Sequence, residues 1–155
     1  MDLESQIFVM AKNAKLDPIL VKAIAYAESS CNPKAVRYEK NYRYLFDVKE
    51  FAKKCRISVE SEEVLQKMSF GLLQIMGAVA RERGFDGYLT DLCDPMIGLF
   101  WGCKHLELLF QKYKGDDAIA AWNAGSPRKG ADGFYENQHY VNRVKSFYNQ
   151  FKVTK

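Results

Sequence analysis

Soft metal ligands are scarce in this 155-residue chain, which has two histidines and four cysteines, at positions 31, 55, 93 and 103. No two cysteines are spaced Cys-x-x-Cys, which argues against a structural zinc site, and no metal or cofactor is expected. The cysteines read as free buried thiols, with two disulfides as the alternative for a protein that matures outside the cell. Long apolar runs are missing as well. The most apolar stretch, "MIGLFWGCKHLELLF", is broken by Lys104 and His105 and falls short of the roughly 20 residues that span a bilayer. The first residues, "MDLESQIFVMAKNAKLD", are amphipathic and acidic, unlike a basic segment leading into an apolar signal core. The expectation is a chain made in the cytoplasm and not inserted into a membrane.

Dense basic runs are also absent. The net charge is only +4, and Lys and Arg interleave with Glu and Asp, as in "KKCRISVESEE". A nucleic-acid stripe is therefore not expected, and the mild excess favours approach to anionic polymers without specifying one. No internal repeat, low-complexity segment or long linker divides the sequence, so residues 1–155 read as a single domain, expected to be monomeric.

What is present is a globular composition, 48% hydrophobic and 27% charged, in a chain long enough to bury a core. Nine tyrosines pair apolar rings with polar tips, which suits a groove for an amphipathic ligand such as a sugar; a Tyr-rich core boundary is the plainer reading.

Helical periodicity dominates. Leu3, Ile7, Phe8, Met10 and Ala11 mark a one-sided helix over 3–14. "DPILVKAIAYAES" opens with Asp17 as N-cap and Pro18 at the first helical position, and it is apolar almost all round. Such a helix belongs in the core, so Glu28 at its end emerges from the interior. "AVRYEKNYRYLF" reads as extended or hairpin-like. Asp47 with Glu50 suggests a capping box for "VKEFAKKC", and another short helix is expected near 61–68. "SFGLLQIMGAVARERG" reads as one helix capped by Ser69 and stopped by Gly84. A second Asp-Pro opening starts a long buried helix at Pro95, and "DDAIAAWNAG" a short one. The last helix, "QHYVNRVKSFYNQF", turns Tyr140, Val141, Val144, Phe147, Tyr148 and Phe151 inward. The fold class is mainly α with a small extended excursion.

Singly, the chemical motifs are weak, and a lone Glu at a helix end is usually structural. In order, however, "ESSCNPKA", "SFGLLQIMGAVARERG", "AIAAWNAGSPR" and "HYVNRV" resemble the soluble lytic transglycosylase (SLT-domain) family, which cleaves peptidoglycan on a lysozyme-like fold. The resemblance runs from about Leu16 to Tyr148. It is similar to variants carried by phages and prophages, with a long insert between the first two motifs. It implies that Glu28 is the catalytic acid and Ser29 its neighbour. Gly71, Leu72, Leu73 and Gln74 match a Gly-Leu-Met-Gln motif, with Leu73 in place of Met. Gln74 and Met76 fall on positions facing the sugar, and Ser29, Leu73, Trp122, Asn123 and Tyr140 are implied to bind substrate with them. Trp122 and Asn123 lie on an Ala-Tyr-Asn-Ala-Gly motif, with Trp122 in place of Tyr, and Tyr140 matches a tyrosine closing over the carboxylate. The implied partner is the glycan strand of peptidoglycan, without nucleic acid. The implied setting is the cell wall, reached by phage-mediated release or injection.

Breaking a glycosidic bond near neutral pH needs a carboxylic acid of raised pKa, which burial against "AIAYA" and "GLLQIM" would supply to Glu28. A transglycosylase needs one carboxylate, which acts as acid and then as base. Two alternatives stay open. A hydrolytic muramidase on the same scaffold would use a second carboxylate such as Glu39, whose plainer role is an ion pair with Arg37 or Arg43. A catalytically silent wall-binding or assembly module would need neither.

Overall fold

The computed structural model describes residues 1–154. Helix α1 (Leu3–Asn13) is capped by Asp2, whose carboxylate accepts from Ser5 N at 2.8 Å. Helix α2 (Pro18–Ser29) starts as the Asp-Pro pair dictates: Asp17 accepts from Ile19 N at 2.9 Å, and Pro18 occupies a position where no N–H is needed. Val21, Ala23, Ile24 and Ala25 are fully buried, so α2 is the central rod of the larger core. Helix α6 (Pro95–Lys112) repeats the device, with Asp94 accepting from Met96 N and Ile97 N. Helix α7 (Asp116–Ala124) follows, and α8 (Gln138–Val153) packs along α2. Val141 and Val144 are buried there, while Phe147 and Phe151 close on Tyr26 at ring-centroid distances of 5.7 and 4.9 Å. Tyr140 and Tyr148 are only partly buried against the same core. The mainly α class expected from the sequence is the class observed.

Between α2 and α6 the chain builds a smaller layer: β1 (Val36–Tyr38), α3 (Val48–Cys55), α4 (Val59–Gln66), β2 (Met68–Phe70), β3 (Ile75–Met76), α5 (Gly77–Glu82) and a 3-10 turn, Leu89–Cys93. The three strands form one antiparallel sheet, β1-β2-β3, with Val36 opposite Phe70 and Phe70 opposite Ile75. Its apolar face joins Ala80, Phe85, Leu89 and Leu92 in a second core, and Trp122 packs against both cores.

Five expectations are corrected here. Residues 69–84 are not one helix: Ser69 lies in β2, the chain turns at 71–74, and only Gly77–Glu82 is helical. Gly71 adopts φ +74°, and a Cβ there would stand 2.7 Å from the Leu92 carbonyl oxygen, so the turn requires glycine. Asp47 is no capping box, because its own φ of 41° is left-handed and its side chain caps nothing. The extended region at 36–46 is not a local hairpin; only Val36–Tyr38 is strand, and its partner is the distant β2. The helix expected near 61–68 begins earlier, at Val59, with Ser58 accepting from Ser61 N. All four cysteines are free, but only Cys55 and Cys103 are buried; Cys31 and Cys93 are half-buried. Among the described residues no helix is long and apolar enough to cross a membrane.

Candidate active site

Glu28 sits in the last turn of α2, directly after the buried Ala25 and Ala27. The chain then leaves the helix abruptly, since Ser30 and Cys31 both take left-handed conformations, with φ of 52° and 59°. Such residues carry strain of about 1–2 kcal/mol each. They are held by Ser30 N donating to Tyr26 O and Cys31 N donating to Ala25 O, each at 3.1 Å. Ser29 locks this corner to the second motif. Its hydroxyl bonds Ala25 O at 3.0 Å and Leu72 O at 2.8 Å, and its Oγ accepts from Asn32 N.

The Gly71–Gln74 turn is itself tied down by Gln74. Its Nε2 donates to Ala35 O and Gly71 O, both at 2.9 Å, and its Oε1 accepts from Ser69 Oγ at 2.8 Å. Gln74 has φ 53°, so these bonds hold a backbone conformation that a non-glycine residue rarely takes. The side chains of Ser29 and Gln74 thus position the turn, and their polar atoms are already bonded within the protein. Leu73 is 1% exposed and packs against Gly102, which moves its side chain from the sugar-facing set to the core. Met76 remains partly exposed at the end of β3.

The third and fourth motifs approach from α7 and α8. Trp122 donates from Nε1 to Leu73 O at 3.2 Å, and its ring lies against His105 with centroids 5.6 Å apart. Burial pushes the His105 imidazole down to about 4, so it is neutral beneath the indole. Asn123 is exposed, and its Oδ1 accepts from Asn137 Nδ2 at 2.9 Å. Asn137 was not legible as a site residue; it precedes the "HYVNRV" motif and also donates to Ala120 O. Its Oδ1 and the Tyr140 hydroxyl are both buried and without a hydrogen-bond partner among the described residues.

Burial is the main force on the Glu28 carboxyl, raising it from 4.5 to about 7. Opposing it, in decreasing order, are the Tyr140 hydroxyl, the charge of Arg37, the Trp122 N–H and the charge of Arg143. The Tyr140 and Trp122 approaches stop short of formed hydrogen bonds to Glu28. Burial and then the Glu28 charge raise Tyr140 well above the usual tyrosine range, so its O–H stays a donor facing the acid. Arg37 is a further residue that no motif marked, and Arg143 lies within the fourth motif with no role assigned to it from the sequence. Glu39 lies at the exit of β1, where its Oε1 takes the Arg37 Nε–H at 2.6 Å. The structure therefore brings Glu28, the 71–74 turn, Trp122 and Tyr140 together, and binds Glu39 to Arg37. Among the described residues no group of three or more His, Cys, Asp or Glu is placed to hold a metal ion.

A family model described as "Transglycosylase SLT domain" matches residues 5–141. A search of curated proteins gave no significant match. The matched span takes in the first three motifs and the start of the fourth through Val141, and so includes Glu28, the 71–74 turn, Trp122 and Tyr140 but not Arg143.

Proposed function

The chain belongs to the transglycosylase SLT domain family, whose fold is lysozyme-like and whose substrate is peptidoglycan, and from that membership we propose a specific lytic reaction. It cleaves the β-1,4 bond between N-acetylmuramic acid and N-acetylglucosamine. Glu28 gives its proton to the glycosidic oxygen as the C1–O bond breaks. The resulting carboxylate then removes the proton from the muramic acid's own 6-hydroxyl, whose oxygen bonds C1. A 1,6-anhydro ring forms, Glu28 regains its proton, and no water is consumed. The substrate's acetamido group stabilises the developing positive charge, so no second carboxylate is needed.

One observation carries this reading: the 71–74 turn, Trp122 and Tyr140 close on the Glu28 carboxyl at the end of the buried helix α2, and that burial raises it to about 7. Near neutral pH such a group populates both protonation states, which an acid that becomes a base requires. The pairing of Glu39 with Arg37 supports the single-carboxylate route over hydrolysis. The exposed Asn123 amide is suited to sugar hydroxyls and the acetamido group, while the buried Tyr140 hydroxyl faces the Glu28 carboxyl. Trp122 offers a flat apolar edge to a pyranose ring.

Mass spectrometry of muropeptides released from purified sacculi tests the reaction. Anhydro ends, lighter by one water than reducing ends, are expected; reducing ends alone would overturn the proposal. The pH profile gives a second check. The acid must be protonated in the free enzyme, so kcat/KM is expected to fall about tenfold per pH unit above its pKa of about 7. A fall beginning instead near 4.5, the ordinary carboxyl value, would show that Glu28 is not a buried acid.

A further inference from the structure

Beyond β1, the segment at 39–46 forms a polar cavity of about 450 Å³ lined by Lys40, Asn41, Tyr42, Arg43 and Lys67. Three of these five residues are cationic. Lys67 lies 3.7 Å from Glu63, while Lys40 and Arg43 make no ion pair among the described residues. The nearest carboxylate in sequence, Glu39, is already taken by Arg37, and Glu82, whose charge reaches Tyr42, is paired with Arg83 at 3.4 Å.

The cavity is held in shape by the surrounding backbone. Glu39 N donates to Lys67 O at 2.8 Å, and Tyr42 N donates to Glu39 O at 3.0 Å. At the far end the buried Gln66 bonds both backbone groups of Phe46, taking its N–H at 2.8 Å and giving to its carbonyl at 2.7 Å. The Tyr42 ring meets that of Tyr44 edge to face, with centroids 5.8 Å apart. A loop pinned at both ends loses little freedom when a ligand binds, which favours a site over a merely solvated charge cluster.

Its position relative to Glu28 suggests the ligand. Ser29, next to Glu28, bonds Leu72 O at 2.8 Å, and Gly71 N of the same turn donates to Ala35 O at 2.8 Å, so β1 leads from the turn beside Glu28 to Lys40. The five residues from Ala35 to Lys40 span at most about 18 Å of extended chain. Sugar hydroxyls and acetamido groups are neutral and would not call for free cations. The peptides attached to the muramic acid carry carboxylates.

We propose that Lys40 and Arg43, with Lys67, bind the carboxylates of the peptide stem on the strand being cleaved. This rests on the transglycosylase reading and adds a determinant of substrate choice to it. The site would distinguish strands bearing peptides from bare glycan, and strands with free carboxylates from amidated ones.

The test uses glycan strands in three forms, free of wall phosphate polymers: stem-bearing, stem-bearing with amidated carboxylates, and stripped of peptide. The protein is expected to cleave the first about fivefold faster than the other two, the scale of two exposed ion pairs. That preference should shrink as salt is raised. The Lys40→Gln/Arg43→Gln variant should lose the preference and keep its rate on stripped strands. Equal rates for the unaltered protein on all three forms, or a preference that survives in the variant, would overturn the proposal. Co-sedimentation of the Glu28→Gln protein with the same strands reads the cavity without catalysis. Stem-dependent binding that is lost in the Lys40→Gln/Arg43→Gln background, with no cleavage by any form, would sustain the cavity and sink the transglycosylase reading. Binding indifferent to the stem would sink the cavity alone.

Discussion

Replacing Glu28 by Gln is expected to abolish sacculus cleavage while making the protein more stable at alkaline pH. The loss follows from the proposed chemistry: Gln has no proton to give the leaving oxygen and no carboxylate to take one back. General acid–base groups contribute on the order of 10²–10⁴ in rate, and here one group serves both steps, so the upper end applies. The gain in stability follows from the same burial. The Glu28 carboxyl is raised from 4.5 to about 7, so the folded state holds this proton more tightly than the unfolded one. As pH rises between those values, the unfolded chain releases its proton first, and the native state loses stability until about pH 7 is passed. Above that the full penalty stands, about 3 kcal/mol for a rise of this size.

The neutral isostere escapes that penalty. At about pH 8 the Glu28→Gln variant should melt roughly 6–12 °C higher than the unaltered protein, and the difference should close by about pH 4. Thermal unfolding at the two pH values, set beside a sacculus turbidity assay, reads both effects. A variant that cleaves at the normal rate removes Glu28 from the mechanism. One that is inactive but no more stable at pH 8 would show that the carboxylate is already well solvated.

Glu28 was legible in sequence only through the order of the motifs that follow it. Its burial was inferred from "AIAYA", and the near-all-round apolar character of α2 carried that inference correctly to Ala25 and Ala27. The Asp-Pro openings at 17 and 94 placed both helix starts, because N-cap chemistry is local. The turn at 71–74 was not legible, because Leu72, Leu73 and Ile75 suit a buried helix as well as buried strand ends, and short apolar runs do not distinguish them. What decides the matter is tertiary. Gly71 meets the Leu92 carbonyl, and Gly77 lies so close to α4 that a Cβ would fall 2.4 Å from Leu65 O. Neither neighbour is near in sequence. For the same reason the motif alone points Gln74 at the sugar, whereas its amide is bonded to Ser69, Gly71 and Ala35.

The least legible feature has the largest structural consequence. Glu62, in the polar run "SEEVLQ", and Arg81, in "VARERG", look like surface charges, yet both side chains are fully buried. Arg81 Nε and Nη2 donate to the two Glu62 oxygens at 2.7 and 3.0 Å, and Nη1 donates to Phe85 O and Gly87 O. Gln66 adds a third bond to Glu62, and the guanidinium lies over the Phe51 ring at 4.5 Å. One cation thus joins α3, α4, α5 and the 85–87 loop, the layer from which the 71–74 turn reaches Glu28. Arg81→Met alone leaves the Glu62 carboxylate buried and uncompensated, which costs about 3–5 kcal/mol. For a chain of this size that lowers the melting temperature by roughly 10 °C or more. Arg81→Met combined with Glu62→Leu removes both charges and is expected to recover much of the loss, though not all, because the Phe85 carbonyl stays unpaired and the Gly87 carbonyl keeps only the weak Cys55 thiol donor. Denaturant unfolding of the two single variants and the double closes the cycle. Should the double variant be no more stable than Arg81→Met alone, the stranded charge is not what the single substitution exposes. The cation would then be holding the layer through its carbonyl and aromatic contacts instead.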